Sequence, residues 1–174
     1  MFALSEFDIR YQPAKAVKGQ ALVDLIADRV NTDVSALFVH AWAMFFDGSA
    51  CDCGVGILLV SPRGATYYFS IRMATPCTNN LVEYEAVRKG MELLLEAGAE
   101  AVEIFGDSQL VISQLTKEYR CKSEALFPIW MQCHELISRF KYINFHWICR
   151  TLNNEANDLA QMASGYKETA DGED

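Results

Sequence analysis

Apolar residues fall in two distinct rhythms along this chain, and the switches between them mark out its elements. "AWAMFFD" (41–47), "GVGILLVS" (54–61) and "ATYYFSIRM" (65–73) are short, dense apolar runs that read as strands. The second and third are joined by "SPRG" (61–64), a Pro/Gly turn that makes them a hairpin. "TPCTNN" (75–80) supplies helix-initiating chemistry, and a three-to-four spacing of apolar residues then runs to Gly98. "AVEIF" (101–105) reads as a strand and "DSQLVISQL" (107–115) as a short helix opened by Asp107. "EALFPIWMQCHELISRF" (124–140) is a longer helix, its stripe made by Leu126, Ile129, Trp130, Cys133, Leu136, Ile137 and Phe140. "YINFHWI" (142–148) is a last strand, and "NNEANDLAQMAS" (153–164) a last helix capped by Asn153 or Asn154. Three strands, helix, strand, helices, strand, helix is the order of an α/β layered domain, with an antiparallel hairpin leading into parallel strands.

The first 40 residues follow a different pattern. "FDIRYQP" (7–13) reads as a short strand stopped by Pro13, and "KGQALVDLIADRV" (18–30) as an amphipathic helix, followed by linker-like sequence. Residues 1–40 are expected to be a connector, 41–165 the domain, and 166–174 an acidic tail.

Composition narrows the class. Among 174 residues, 51% are hydrophobic and 22% charged, which suits a packed core and excludes a disordered chain. No apolar run reaches the roughly 20 residues that span a bilayer, and the N-terminus lacks the basic-then-apolar pattern of a secretory signal. The six cysteines are scattered and Cys51-x-Cys53 has no second pair at zinc spacing, so reduced thiols are expected. The net charge of −8 stands against a broad nucleic-acid footprint, which is ordinarily basic.

Candidate chemistry lies in acids placed where a core should be. Asp47 closes an apolar strand, although Asp-Gly-Ser is also ordinary turn sequence. In the helix beginning near Asn79, the stripe Val87, Gly90, Met91, Leu94 extends back one turn to Glu83, so Glu83 faces the sheet while Glu85 faces outward. Asp107 ends a strand, where it also reads as a helix N-cap. Asp158 lies beside Ala156, Leu159 and Ala160 in the last helix, where a partly exposed position is the plain alternative. In open α/β sheets, sites gather at the carboxyl ends of strands. Four acids gathered there repel one another unless cations neutralise them, and hard oxygen ligands suit magnesium or manganese. Two such ions can activate a water and stabilise the leaving oxygen of a phosphodiester.

These segments resemble the type I ribonuclease H family: "FFDGS" its first-strand motif, "TNNLVEYEA" its helix motif, "GDSQLV" its D-S-Q motif and "NNEANDLAQMAS" its final helix. The resemblance implies a ribonuclease H-like fold, a mixed five-stranded sheet with three antiparallel and then parallel strands, flanked by helices. It implies Asp47, Glu83, Asp107 and Asp158 as ligands of two Mg2+ ions, with Mn2+ as a substitute, and Arg150 as an aid to product exit in a loop that lacks the histidine of many relatives. His146 is the alternative catalytic histidine; His134 and His40 read as surface. Gly48, Ser49, Asn79, Asn80, Ser108 and Gln109 are the implied substrate contacts, with helix capping the other reading of Asn79 and Asn80. Lys117, Arg120 and Lys122 make only a small basic cluster, and "TKEYRCKSEALFP" is too short for the basic handle some relatives insert. More narrowly, the chain resembles the ribonuclease H region of plant gypsy-type LTR-retrotransposon polyproteins, with residues 1–40 as the junction from a reverse transcriptase. The implied activity is endonucleolytic cleavage of the RNA strand of RNA–DNA hybrids, by a monomer working off the membrane in a cytoplasmic retroelement particle. A domesticated, catalytically weak binding module, nuclear in that case, is the alternative.

Overall fold

A computed structural model describes residues 41–51, 53–74 and 77–163; the expected connector and acidic tail lie outside the described residues. Five strands form one mixed sheet in the order β3-β2-β1-β4-β5. They are β1 (Trp42–Ser49), β2 (Gly54–Val60), β3 (Thr66–Arg72), β4 (Ala101–Gly106) and β5 (Tyr142–Trp147). β1 pairs antiparallel with β2 and β2 with β3, while β4 lies parallel to β1 and β5 parallel to β4. The expected three-plus-two topology is the one observed. Among the described residues four helices cover it, α1 (Asn79–Glu96), α2 (Gln109–Leu115), α3 (Phe127–Ile137) and α4 (Asn154–Ala163), with a 3-10 turn at Arg150–Leu152 before α4.

Strand alternation divides the core in two. In β1, Met44 and Phe46 pack with Val82, Val87 and Met91 of α1, whereas Ala43 and Phe45 pack on the other face with Leu58, Phe105 and Ala156. Every residue of β2 is buried, as expected of a strand between two neighbours with helices on both faces. The stripe expected of α1 is the one buried, including Gly90 against Met44. α1, α2 and α3 are joined by a buried polar node. Tyr84 Oη donates to Gln114 Oε1 at 2.6 Å, and Trp130 Nε1 donates to the Gln114 carbonyl at 3.2 Å. α3 starts at Phe127, later than periodicity suggests, because Pro128 belongs to a first turn, where its missing N–H costs nothing.

β1 is the central strand, and its direction matters. Residue 41 enters at one end of the sheet, beside the Ser61–Gly64 turn, and the strand delivers Asp47 to the opposite end. There the chain turns into β2 through a segment containing Cys53, whose φ is 56°. Cys53 is disulfide-bonded to Cys77, with Cα atoms 5.9 Å apart. This corrects the expectation of reduced thiols throughout. Spacing could not show that the β1–β2 turn and the segment before α1 lie side by side, where Met73 N–H donates to the Cys53 carbonyl. Cys51, Cys121, Cys133 and Cys149 are free.

Candidate active site

Three elements deliver acids to the carboxyl end of the sheet. Asp47 comes from β1 and is 4% exposed. Glu83 comes from the first turns of α1, and Asp107 from the residue after β4. One ligand oxygen from each lies within 4.8 Å of the other two, and this is the only such group of three among the described residues.

Local sequence explains each placement. Gly48 follows Asp47 because β1 ends hard against α1. A Cβ there would sit 2.7 Å from the Val82 carbonyl carbon and 2.8 Å from the Glu83 nitrogen, both backbone atoms. The glycine of Asp-Gly-Ser therefore serves close approach rather than a turn. Glu83 faces the cluster while Glu85 is engaged outward with Arg88, at 2.7 Å, as the helix phase anticipated. Asp107 does not cap α2; Ser108 does, accepting from Val111 N–H at 3.5 Å. The Asp107 carboxylate is thereby left for the cluster. Likewise Thr78, not Asn79 or Asn80, caps α1 by accepting from Leu81 N–H at 3.3 Å. Asn79 and Asn80 are exposed at the helix start, as is Gln109 at the start of α2.

The electrostatics are those of acids awaiting a counter-charge. Burial first, then the neighbouring Asp107, pushes the Asp47 carboxyl up to about 7. Burial, then Asp47 and Asp107, pushes Glu83 up to about 9. The Gly48 N–H and the Arg150 charge oppose both shifts. Glu83 Oε2 is buried without a hydrogen-bond partner. A hard divalent cation fits this donor set: three carboxylate oxygens, one of them orphaned, at separations a single ion can bridge.

One residue absent from the sequence-derived site holds it together. Asn153, 1% exposed, donates through Nδ2 to the Phe46 carbonyl at 2.8 Å and to Asp107 Oδ1 at 3.1 Å. It ties the loop before α4 to β1 and to the ligand after β4. It had been read only as a helix cap; its long-range partners had no signal in the sequence.

Two expected participants sit elsewhere. Asp158 is exposed and stands outside the group of three. The physical reason is helical phase: Ala156 and Ala160 set the buried side of α4, and Asp158 falls on the opposite side. His146 donates to, or accepts from, Glu103 at 2.5 Å and stacks on Phe105, with ring centroids 4.8 Å apart. It is a partner of a buried acid on the sheet face, not a member of the cluster. Arg150 does stand near, its Nη2 donating to Asn157 Oδ1 at 2.9 Å. Gly48, Ser49 and Ser108 flank the acids in sequence, at the ends of β1 and β4.

The family model described as reverse transcriptase-like matches residues 45–163. Ribonuclease HI of Halobacterium salinarum is 30% identical over 143 residues, covering 76% of this chain and 70% of that protein. The chain belongs to the ribonuclease H family. The crystal structure of the Halobacterium RNase H1 superposes with a TM-score of 0.68 at 29% identity, covering 73% of this chain and 99% of that one. LC11-RNase H1, solved in complex with RNA/DNA hybrid, gives 0.66 at 25% identity, covering 71% and 96%. The bifunctional protein Rv2228c of Mycobacterium tuberculosis is 33% identical over 86 residues, and there the match spans 49% of this chain but only 24% of the relative.

Proposed function

We propose that this chain is a metal-dependent endonuclease that hydrolyses the RNA strand of RNA–DNA hybrids. The observation that carries it is the convergence of buried Asp47 with half-buried Glu83 and Asp107 on a space a hard cation fits, the first two raised by burial and by their acidic neighbours. Bound there, Mg2+ or Mn2+ would polarise a phosphodiester oxygen and favour a hydroxide at neutral pH.

The chain's own residues do the rest. Asp47 at the end of β1 and Asp107 just after the adjacent parallel β4 would hold the cation, with Glu83 from α1. Asn153 locks the Asp107 carboxylate in place, so little reorganisation is needed when substrate arrives. Exposed Asn79, Asn80 and Gln109, with Gly48, Ser49 and Ser108, offer amides, hydroxyls and backbone donors to ribose 2′-hydroxyls and phosphates. Arg150 would assist product exit. The acidic net charge leaves little general affinity for nucleic acid. It supports a domain that receives its hybrid from an attached polymerase, in the retrotransposon setting that the sequence resemblance suggests. No described helix is long and apolar enough to cross a membrane; action as a monomer in a cytoplasmic particle is part of the same proposal. The two-cation expectation rested on four acids, and among the described residues three converge.

Incubation of the purified chain with a labelled RNA–DNA hybrid tests the reading. Cutting of hybrid but not single-stranded RNA is expected, dependent on Mg2+ or Mn2+, abolished by chelator and by Asp107→Asn. A folded chain that binds no divalent cation and leaves the hybrid intact would instead identify a domain retained for binding alone.

A further inference from the structure

Where helix α4 approaches the acids, it presents an amide. Asn153, Ala156 and Ala160 are 1%, 1% and 0% exposed and define the side of α4 that meets the sheet. That side is pressed onto Gly56, where a Cβ would lie 1.9 Å from the Ala156 carbonyl oxygen and 2.5 Å from the Ala160 nitrogen. Gly56 is the cross-strand partner of Asp47. The helix is therefore locked in rotation against the very strand that carries the first acid. One turn beyond Asn153, which holds Asp107, lies Asn157, half-buried at the margin of this face. Asp158 is turned a further 100° away, into solvent. Of these two neighbours, the one at the sheet side of α4 is the neutral Asn157, and its oxygen accepts from the Arg150 guanidinium at 2.9 Å. Arg150 in turn is close enough for its charge to act on both Asp47 and Glu83.

We propose that Asn157 makes this a one-cation centre, in which the guanidinium of Arg150, held by Asn157, supplies the remaining positive charge that a second ion would bring. This rests on the metal-dependent reading above and sharpens it. Charge balance supports the assignment: three carboxylates are neutralised by one divalent cation and one guanidinium. A second divalent ion would leave the site strongly positive and would find a neutral amide, already hydrogen-bonded, as its α4 ligand. With aspartate at 157, a fourth negative charge would favour the second ion and draw Arg150 away from its present role. The neighbouring Asp158 cannot substitute, because rotating α4 to bring it inward would drive Ala156 and Ala160 off Gly56.

Counting bound Mn2+ on the full-length chain, by the loss of the free-ion paramagnetic resonance signal at saturation, tests this without reference to cleavage. One ion per chain is expected for the wild type and for Asp158→Asn, and two for Asn157→Asp. Arg150→Met should still bind one ion, about tenfold more tightly, because the repulsion between cation and guanidinium is removed. Two ions on the wild type, or one on Asn157→Asp, would overturn the proposal while leaving the nuclease reading intact. No bound ion on the wild type would overturn the nuclease reading itself.

Discussion

Asp47 and Glu83 are held above their ordinary values by burial and by their acidic neighbours, and this sets what removing a neighbour does. Asp107→Asn removes a charge that raises both Asp47 and Glu83. It is expected to raise the cation-free melting temperature by several degrees, about 1 kcal/mol of stability, while hybrid cleavage falls by on the order of 10²-fold or more. Asp158→Asn should change neither, since that carboxylate faces solvent; thermal melts and initial cleavage rates check both. The raised acids also give the stability a pH dependence of definite sign. Asp47 and Glu83 hold protons more tightly folded than unfolded, with folded values of about 7 and about 9 against ordinary values of 3.8 and 4.5. The unfolded chain therefore loses its protons first as pH rises. Their favourable contribution is complete below the unfolded values and is lost as pH climbs through the folded ones. Melting of the cation-free chain should fall between pH 5 and 9, by up to about 1.4 kcal/mol per pH unit per group. Millimolar Mg2+ should reverse the fall, most strongly at the alkaline end. A melting temperature that rises across that range without cation would contradict the buried placement of these acids.

At the scale of elements, the site depends on how closely two helices approach β1 and β2. Gly48 admits the first turn of α1 and Gly56 admits α4. Gly56→Ala puts a carbon into backbone atoms of α4, and a loss of about 3 kcal/mol is expected, seen as a lowered denaturation midpoint. Gly48→Ala should cost about 2 kcal/mol and, by displacing Glu83, weaken Mn2+ binding as well. Elements themselves were legible in the sequence because their rhythms differ sharply. The wholly apolar β2 and the long stripe of α1 could only be a buried strand and a sheet-packed helix. What escaped was phase and partner. Chemistry alone points to Asp158 as the acid of α4, whereas the spacing of Ala156 and Ala160 places Asn157 nearer the sheet. Asn79, Asn80 and Asp107 were candidate caps because their side chains suit it, but Thr78 and Ser108 hold those positions. Glu83 was legible for the opposite reason: its choice over Glu85 was made from the stripe of its helix.

Contacts between distant parts of the chain were beyond sequence reading altogether. The reach of Asn153 across to Phe46 and Asp107, the seating of His146 on Glu103, and the bond between Cys53 and Cys77 each depend on which loops the sheet brings side by side. The direction of the central strand has a practical consequence at this scale. From Trp42 to Asp47 is five residues of extended chain, about 17 Å, and the Ser61–Gly64 turn shares the end where residue 41 enters. The molecule thus has a handle at one end and its working groups at the other. With the exposed Cys51 and Cys149 replaced by Ser, biotin attached through Arg63→Cys in that exposed turn should fix the protein to a surface with its hybrid-cleavage rate within about twofold of the same chain free in solution, since the turn and the acids lie at opposite ends of β1. A duplex laid across the far end would meet the acids without meeting that attachment.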